Sequence, residues 1–111
     1  MEAQTGPRLV LTWQNRQLSV QRDEHIVIGS AVHADLSVTG LHVSREHLQI
    51  YLKDHYFVLC DTSTNGTFIQ SEDDEVNFCK RQEQRLWGQG WLALGETLAP
   101  HSALHYRHMQ V

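Results

Sequence analysis

Ser44 and His47 stand close together in Val43-Ser44-Arg45-Glu46-His47, and a hydroxyl so near an imidazole first raises nucleophilic catalysis. That chemistry needs a strained G-x-S-x-G elbow, or an acid that orients the imidazole, and neither can be assigned here. His47 therefore reads as a structural imidazole. Ser44 suits a different chemistry. At a junction between loop and strand, its hydroxyl and the local N–H groups can donate to a phosphate oxygen, or the hydroxyl can simply cap a turn. Arg45 would add a charge-assisted, bidentate contact to the same anion, the alternative being a solvated surface arginine. Metal chemistry is the other candidate, since the chain has 8 histidines. His101, His105 and His108 have the spacing of one helix face, as a zinc site on a helix would require. Leu104 and Tyr106 alternate with His105 and Arg107, however, which is the period of a strand. No metal or other cofactor is expected.

Strands must position these residues. Leu9–Trp13 and Leu18–Gln21 read as the first two, joined by Gln14-Asn15-Arg16. His25–Gly29 is a β-branched third strand ending at a glycine. From Ser30 to Glu46 the chain is mostly polar, interrupted by Leu36-Ser37-Val38, and long loops of this kind carry function. Leu48, Ile50 and Leu52 then alternate with Gln49, Tyr51 and Lys53. Asp54-His55 makes a turn, and Tyr56–Cys60 returns as an apolar run fit for burial on both faces. Asp61-Thr62-Ser63-Thr64-Asn65-Gly66 reads as a hairpin turn leading into Thr67-Phe68-Ile69. Asn65 and Gly66 both tolerate positive φ; Asn65 either occupies a left-handed position or offers its amide donor and acceptor to an extended peptide, and Gly66 serves for its backbone freedom. Asp61 and Ser63 brace this turn through bonds to the backbone. Val76–Cys79, Trp91–Leu94 and Ala103–Arg107 are further strands. Ser71–Glu75 is an acidic turn, Lys80–Arg85 a charged solvated stretch, and Gly88 and Gly90 flank another turn. Short strands punctuated by turns predict an all-β sandwich or barrel.

At 111 residues the chain has room for one domain, with its core at about residues 9–107. The 9 Lys and Arg against 13 Asp and Glu argue against nucleic-acid binding, which calls for excess positive charge. No apolar run approaches a membrane span, and the N-terminus lacks a signal-peptide pattern, so a cytoplasmic location is expected. Cys60 and Cys79 lie in strand-like segments and read as two buried thiols in a reducing compartment.

Three pieces now line up in order: Ile28-Gly29, Val43-Ser44-Arg45-Glu46-His47, and Asp61-Thr62-Ser63-Thr64-Asn65-Gly66-Thr67, with Asp35 between the first two. Together they resemble the forkhead-associated (FHA) domain over about residues 9–106. The resemblance implies a sandwich of two mostly antiparallel sheets with binding loops at one end. It also implies a non-catalytic module that reads phosphothreonine on partner proteins or peptides. By the same resemblance, Ser44, Arg45 and Thr64 contact the phosphate, Asn65 bonds the peptide backbone beside it, and His47 holds the loops together. Gly29, Asp61, Ser63 and Gly66 belong to the structural part of the motif.

One position departs from the pattern. Relatives carry an arginine directly after the glycine that ends the third strand, where this chain has Ser30. A hydrogen bond to a charged group is worth about 1.5–3 kcal/mol, so its loss implies a site weakened very roughly ten- to a hundred-fold. His33 in the same loop, or His42 before the Ser44 motif, would compensate in its protonated form. The alternative use of the scaffold is phosphate-independent protein contact or self-association, for which exposed Trp13, Trp87 or Trp91 would be anchors. The stretch Glu75–Gly95 also resembles FHA domains fused to bacterial class III adenylate or guanylate cyclases. That implies an accessory module, fused to or associated with a cyclase domain outside this chain.

Overall fold

The computed structural model describes residues 6–73, 75–98 and 103–110. These form eleven strands: β1 (Pro7–Trp13), β2 (Arg16–Val20), β3 (His25–Gly29), β4 (Leu36–Ser37), β5 (Leu48–Lys53), β6 (Tyr56–Asp61), β7 (Thr67–Ser71), β8 (Val76–Cys79), β9 (Glu83–Arg85), β10 (Gln89–Leu94) and β11 (Leu104–Gln110). One sheet has the order β2-β1-β11-β10-β7-β8 and the other β4-β3-β5-β6-β9. Every pairing is antiparallel except β3 with β4, which is parallel.

Period-two alternation builds the core. In β1, Leu9, Leu11 and Trp13 point inward, and in β5 Leu48 and Ile50 do so, with Leu52 packed at the margin. They meet Ile28, Leu36, Phe57, Leu59, Ile69, Leu92, Leu104 and Tyr106 in one cluster between the sheets. Fully burying a side chain of this size contributes about 1.5–3 kcal/mol, so this cluster dominates the stability of the sandwich. The apolar run of β6 does bury both faces: Phe57 and Leu59 point into the core and Val58, on the other side, is also covered.

Several elements differ from the sequence expectation. The Asp61–Gly66 turn is not a hairpin, because β6 and β7 belong to different sheets and the segment crosses between them. Gly66 alone takes the left-handed conformation, with φ of 84°, and Asn65 does not. Glu83–Arg85, expected as solvated loop, is an edge strand on β6. The far side of β6 carries ladder N–H and C=O groups that need partners, and that need outweighs the polar composition of the segment. Gly90 lies inside β10 rather than at a turn. Cys79 is buried, and burial pushes its thiol up to about 11, but Cys60 is only half-buried; both are free. None of the helices that would be needed to cross a membrane occurs among the described residues.

Candidate functional site

Three loops meet at one end of the sandwich: 30–35 between β3 and β4, 38–47 between β4 and β5, and 62–66 between β6 and β7. Backbone bonds stitch the first two together. Ser30 N–H donates to the Ser44 carbonyl at 2.9 Å, Ala31 N–H to Arg45 at 3.1 Å, and His47 N–H to Ile28 at 2.9 Å. The approach is so close that a Cβ on Gly29 would collide with the Arg45 carbonyl, which explains the glycine at the end of β3. The third loop is tied to the second by Thr62, whose N–H donates to the His47 carbonyl at 3.0 Å and whose hydroxyl donates to Glu46 at 2.9 Å.

His47 is the pivot of the cluster and is fully buried. Ser44 N–H donates to its Nδ1 at 3.0 Å, so Nδ1 carries the lone pair and the ring proton sits on Nε2. That proton is donated to the Gly66 carbonyl at 2.8 Å, which also accepts Gly95 N–H. One neutral imidazole thus joins the second loop to the third. Burial lowers its pKa below the ordinary 6.5, against the opposing pull of the Gly66 carbonyl and the Asp61 carboxylate.

Asp61 anchors the base of the third loop. Its carboxylate is buried and accepts from Ser63 N–H and hydroxyl at 3.0 Å, Thr67 hydroxyl at 2.6 Å and Arg81 N–H at 3.0 Å. Ser63 hydroxyl in turn accepts Gly66 N–H at 2.7 Å. Arg81 adds a bond from Nε to the Ser63 carbonyl at 3.1 Å. Arg81 lies in the stretch expected to be charged and solvated; it is exposed, yet these two bonds and a positive φ of 54° make it part of the loop's frame. Asp35, also in place, accepts Val27 N–H at 2.8 Å and closes the first loop back on β3.

Above this frame lie the side chains with donor capacity to spare. Ser44 hydroxyl accepts Thr64 N–H at 3.1 Å, which leaves its own proton free to donate, whereas the Ser44 N–H is already taken by His47. A ligand at Ser44 therefore finds the hydroxyl and not the amide, a correction to the broader donor set expected from sequence. Asn65 is exposed and spends one amide proton on the His42 carbonyl at 3.2 Å, keeping Oδ1 and a second proton outward. Thr64 and Arg45 are exposed, and the Arg45 guanidinium has no bond among the described residues. Ser30 is half-buried and turns its hydroxyl to the Val43 carbonyl at 3.3 Å. His33 faces Glu46, Nε2 to Oε2 at 3.2 Å, so the one acid of the Ser44 motif sits beside the histidine. Val32 and Leu41, on the first and second loops, are 94% and 95% exposed.

Other sequence candidates fall elsewhere. Trp13 is in the core. Trp87 is exposed under the Arg85 guanidinium, which lies 3.4 Å from its ring centre and 4.3 Å from that of Tyr56. Trp91 is exposed on the outer face of the larger sheet against His105. His105 and His108 lie on strand β11, where their odd spacing sends them to opposite faces, and His101 is outside the described residues.

The FHA domain family model matches residues 26–86, more than half of the chain. Among solved structures, the FHA-1 domain of Rv1747 from Mycobacterium tuberculosis is 18% identical, with a TM-score of 0.75 over 95% of this chain and 99% of that one. A structure from work on phosphothreonine-dependent FHA domain interactions is 26% identical, with a TM-score of 0.68 over 96% and 100%. The N-terminal FHA domain of Rad53p from S. cerevisiae, in complex with a phosphothreonine peptide, is 19% identical, with a TM-score of 0.68 over 96% and 94%. No curated protein matches the chain in sequence.

Proposed function

The chain belongs to the FHA domain family, and from that premise we propose that it is a non-catalytic interaction module for phosphothreonine-containing segments of partner proteins. Ser44 and Arg45 take the phosphate, Thr64 borders it, and Asn65 bonds the peptide backbone beside it. Gly29, His47, Asp61, Ser63 and Gly66 keep the three loops in register. The observation that supports this reading best is the Ser44 hydroxyl. It is fixed by Thr64 N–H and retains its own proton for an acceptor outside the protein.

The grip on phosphate is weak in this reading. Where relatives present an arginine, Ser30 offers a short hydroxyl already directed at Val43. His33 lies in the same loop, yet the Glu46 carboxylate beside it offsets any positive charge it carries and repels an anion. The resemblance of Glu75–Gly95 to cyclase-linked FHA domains supports an accessory, regulatory role next to a catalytic domain.

Calorimetric titration of phosphothreonine peptides with randomised flanks tests the reading. Wild type should bind more weakly than about 10 µM, and Ser30→Arg should tighten binding by about tenfold or more. Ser44→Ala should remove most of the remaining affinity. Low-micromolar binding by wild type that Ser30→Arg does not improve would overturn the weakened-site reading. Equal affinity for phosphorylated and unphosphorylated peptides would overturn phosphate recognition itself.

A further inference from the structure

Four strands form the edges of the two sheets: β2 and β8 in the larger, β4 and β9 in the smaller. An edge strand presents unpaired N–H and C=O groups to any other strand, and proteins normally blunt it by shortness, charge or proline. β4 has 2 residues, and β9 is Glu83-Gln84-Arg85. β2 exposes Arg16 and Gln17. β8, Val76-Asn77-Phe78-Cys79, is also short, with 4 residues, but carries neither charge nor proline.

Its outward side chains are apolar instead. Val76 is 52% exposed and Phe78 48%. The register sets Phe78 beside Phe68 and Val76 beside Gln70, and one strand further in, Gln70 beside Trp91. The Phe68 and Phe78 ring centres are 4.9 Å apart, and Trp91 is 43% exposed. Phe68, Phe78 and Val76 thus make an apolar patch on the outer face that reaches an open edge.

The charges around β8 indicate what fits that edge. Glu72, Asp73 and Glu75 precede the strand, and Lys80 and Arg81 follow it. A strand acidic at one end and basic at the other is complementary to an antiparallel copy of itself. A parallel copy would set like charges side by side. We propose that β8 pairs antiparallel with β8 of a second copy of this chain across a twofold axis, making one continuous sheet from the two larger sheets. Side-chain parity limits the register to those that keep both copies' Val76 and Phe78 on the outer face, as when Val76 lies opposite Phe78 of the second copy. Such a twofold contact is closed, so it ends at a dimer. The strand has only 4 residues, so the contact is small and the dimer is weak. This inference is independent of peptide binding.

Sedimentation equilibrium of the whole chain between about 10 and 500 µM decides it. Wild type should rise toward twice the monomer mass, and Val76→Lys should stay monomeric. Glu75→Lys and Lys80→Glu should each weaken association about two- to fivefold, since each reduces the charge difference between the two ends of the strand in both copies. The double variant, with both charges exchanged, should restore it. Thermal unfolding shows that the variants are folded, and the exposed charge exchange decides the matter even where Val76→Lys does not fold. Monomer mass at every concentration, or association that ignores Val76→Lys, or a double variant no better than the singles, would overturn the proposal.

Discussion

A buried imidazole can hold two loops only while it stays neutral, because protonating Nδ1 would turn the Ser44 N–H against another donor. The folded-state pKa of His47 lies below the 6.5 of the free group, chiefly through burial. Above 6.5 both folded and unfolded chains carry it neutral, and its contribution to stability is complete. As pH falls below 6.5 the unfolded chain takes up the proton and the folded one resists, so stability declines until the lower folded pKa is passed. The slope from this residue reaches at most about 1.4 kcal/mol per pH unit. Urea unfolding between about pH 7.5 and 5 should show wild type losing more stability than His47→Gln, whose amide does not titrate in that range. At neutral pH the variant should already be less stable, because the Ser44–His47–Gly66 relay is cut. Curves for the two proteins that fall in parallel would show that His47 titrates alike in both states.

The loops act as an element in their own right, pinned to one another before any ligand arrives. Most of their chemistry was legible: Gly29, Ser44, His47, Asp61, Ser63, Asn65 and Gly66 announce themselves through residue type and spacing. The crossover was not, because Asp-x-Ser-x-Asn-Gly has the same local turn chemistry whether the next strand pairs at once or joins the other sheet. β9 was hidden for the opposite reason: Glu83, Gln84 and Arg85 carry no apolar alternation, and their strand exists only because β6 needs a neighbour. Val32 and Leu41 pose a different question, since both are almost fully exposed among the described residues. Both lie on loops of the proposed site, one beside His33 and one beside His42. Replacing both by Ser should leave the melting temperature within about 2 °C, as the residues bury almost nothing. Peptide affinity should fall about four- to fifteenfold if the two side chains together cover one or two methylene equivalents on binding, at ~0.8 kcal/mol apiece. Unchanged affinity would place the peptide elsewhere on the loops.

At the scale of the whole molecule, charge works against the proposed ligand. The chain has a formal net charge of −4 at pH 7, and a phosphopeptide is itself an anion. At the loops, Arg45 and Arg81 carry fixed positive charge and Glu46 and the buried Asp61 carry negative, so the site has no large excess of positive charge to offset the general repulsion. Partners that succeed should therefore bring positive charge on either side of the phosphothreonine. Two peptides sharing one core, with Lys-rich or Glu-rich flanks, should differ by about tenfold in association rate at low salt. The difference should shrink to less than about twofold near 0.5 M salt, where the screening length is only a few ångströms. Dissociation rates, governed by contacts at Ser44 and Asn65, should be nearly the same for both. Stopped-flow measurements with fluorescent peptides separate the two rates. A preference for Glu-rich flanks, or one that persists at high salt, would mean that direct contacts rather than the overall field choose the partner.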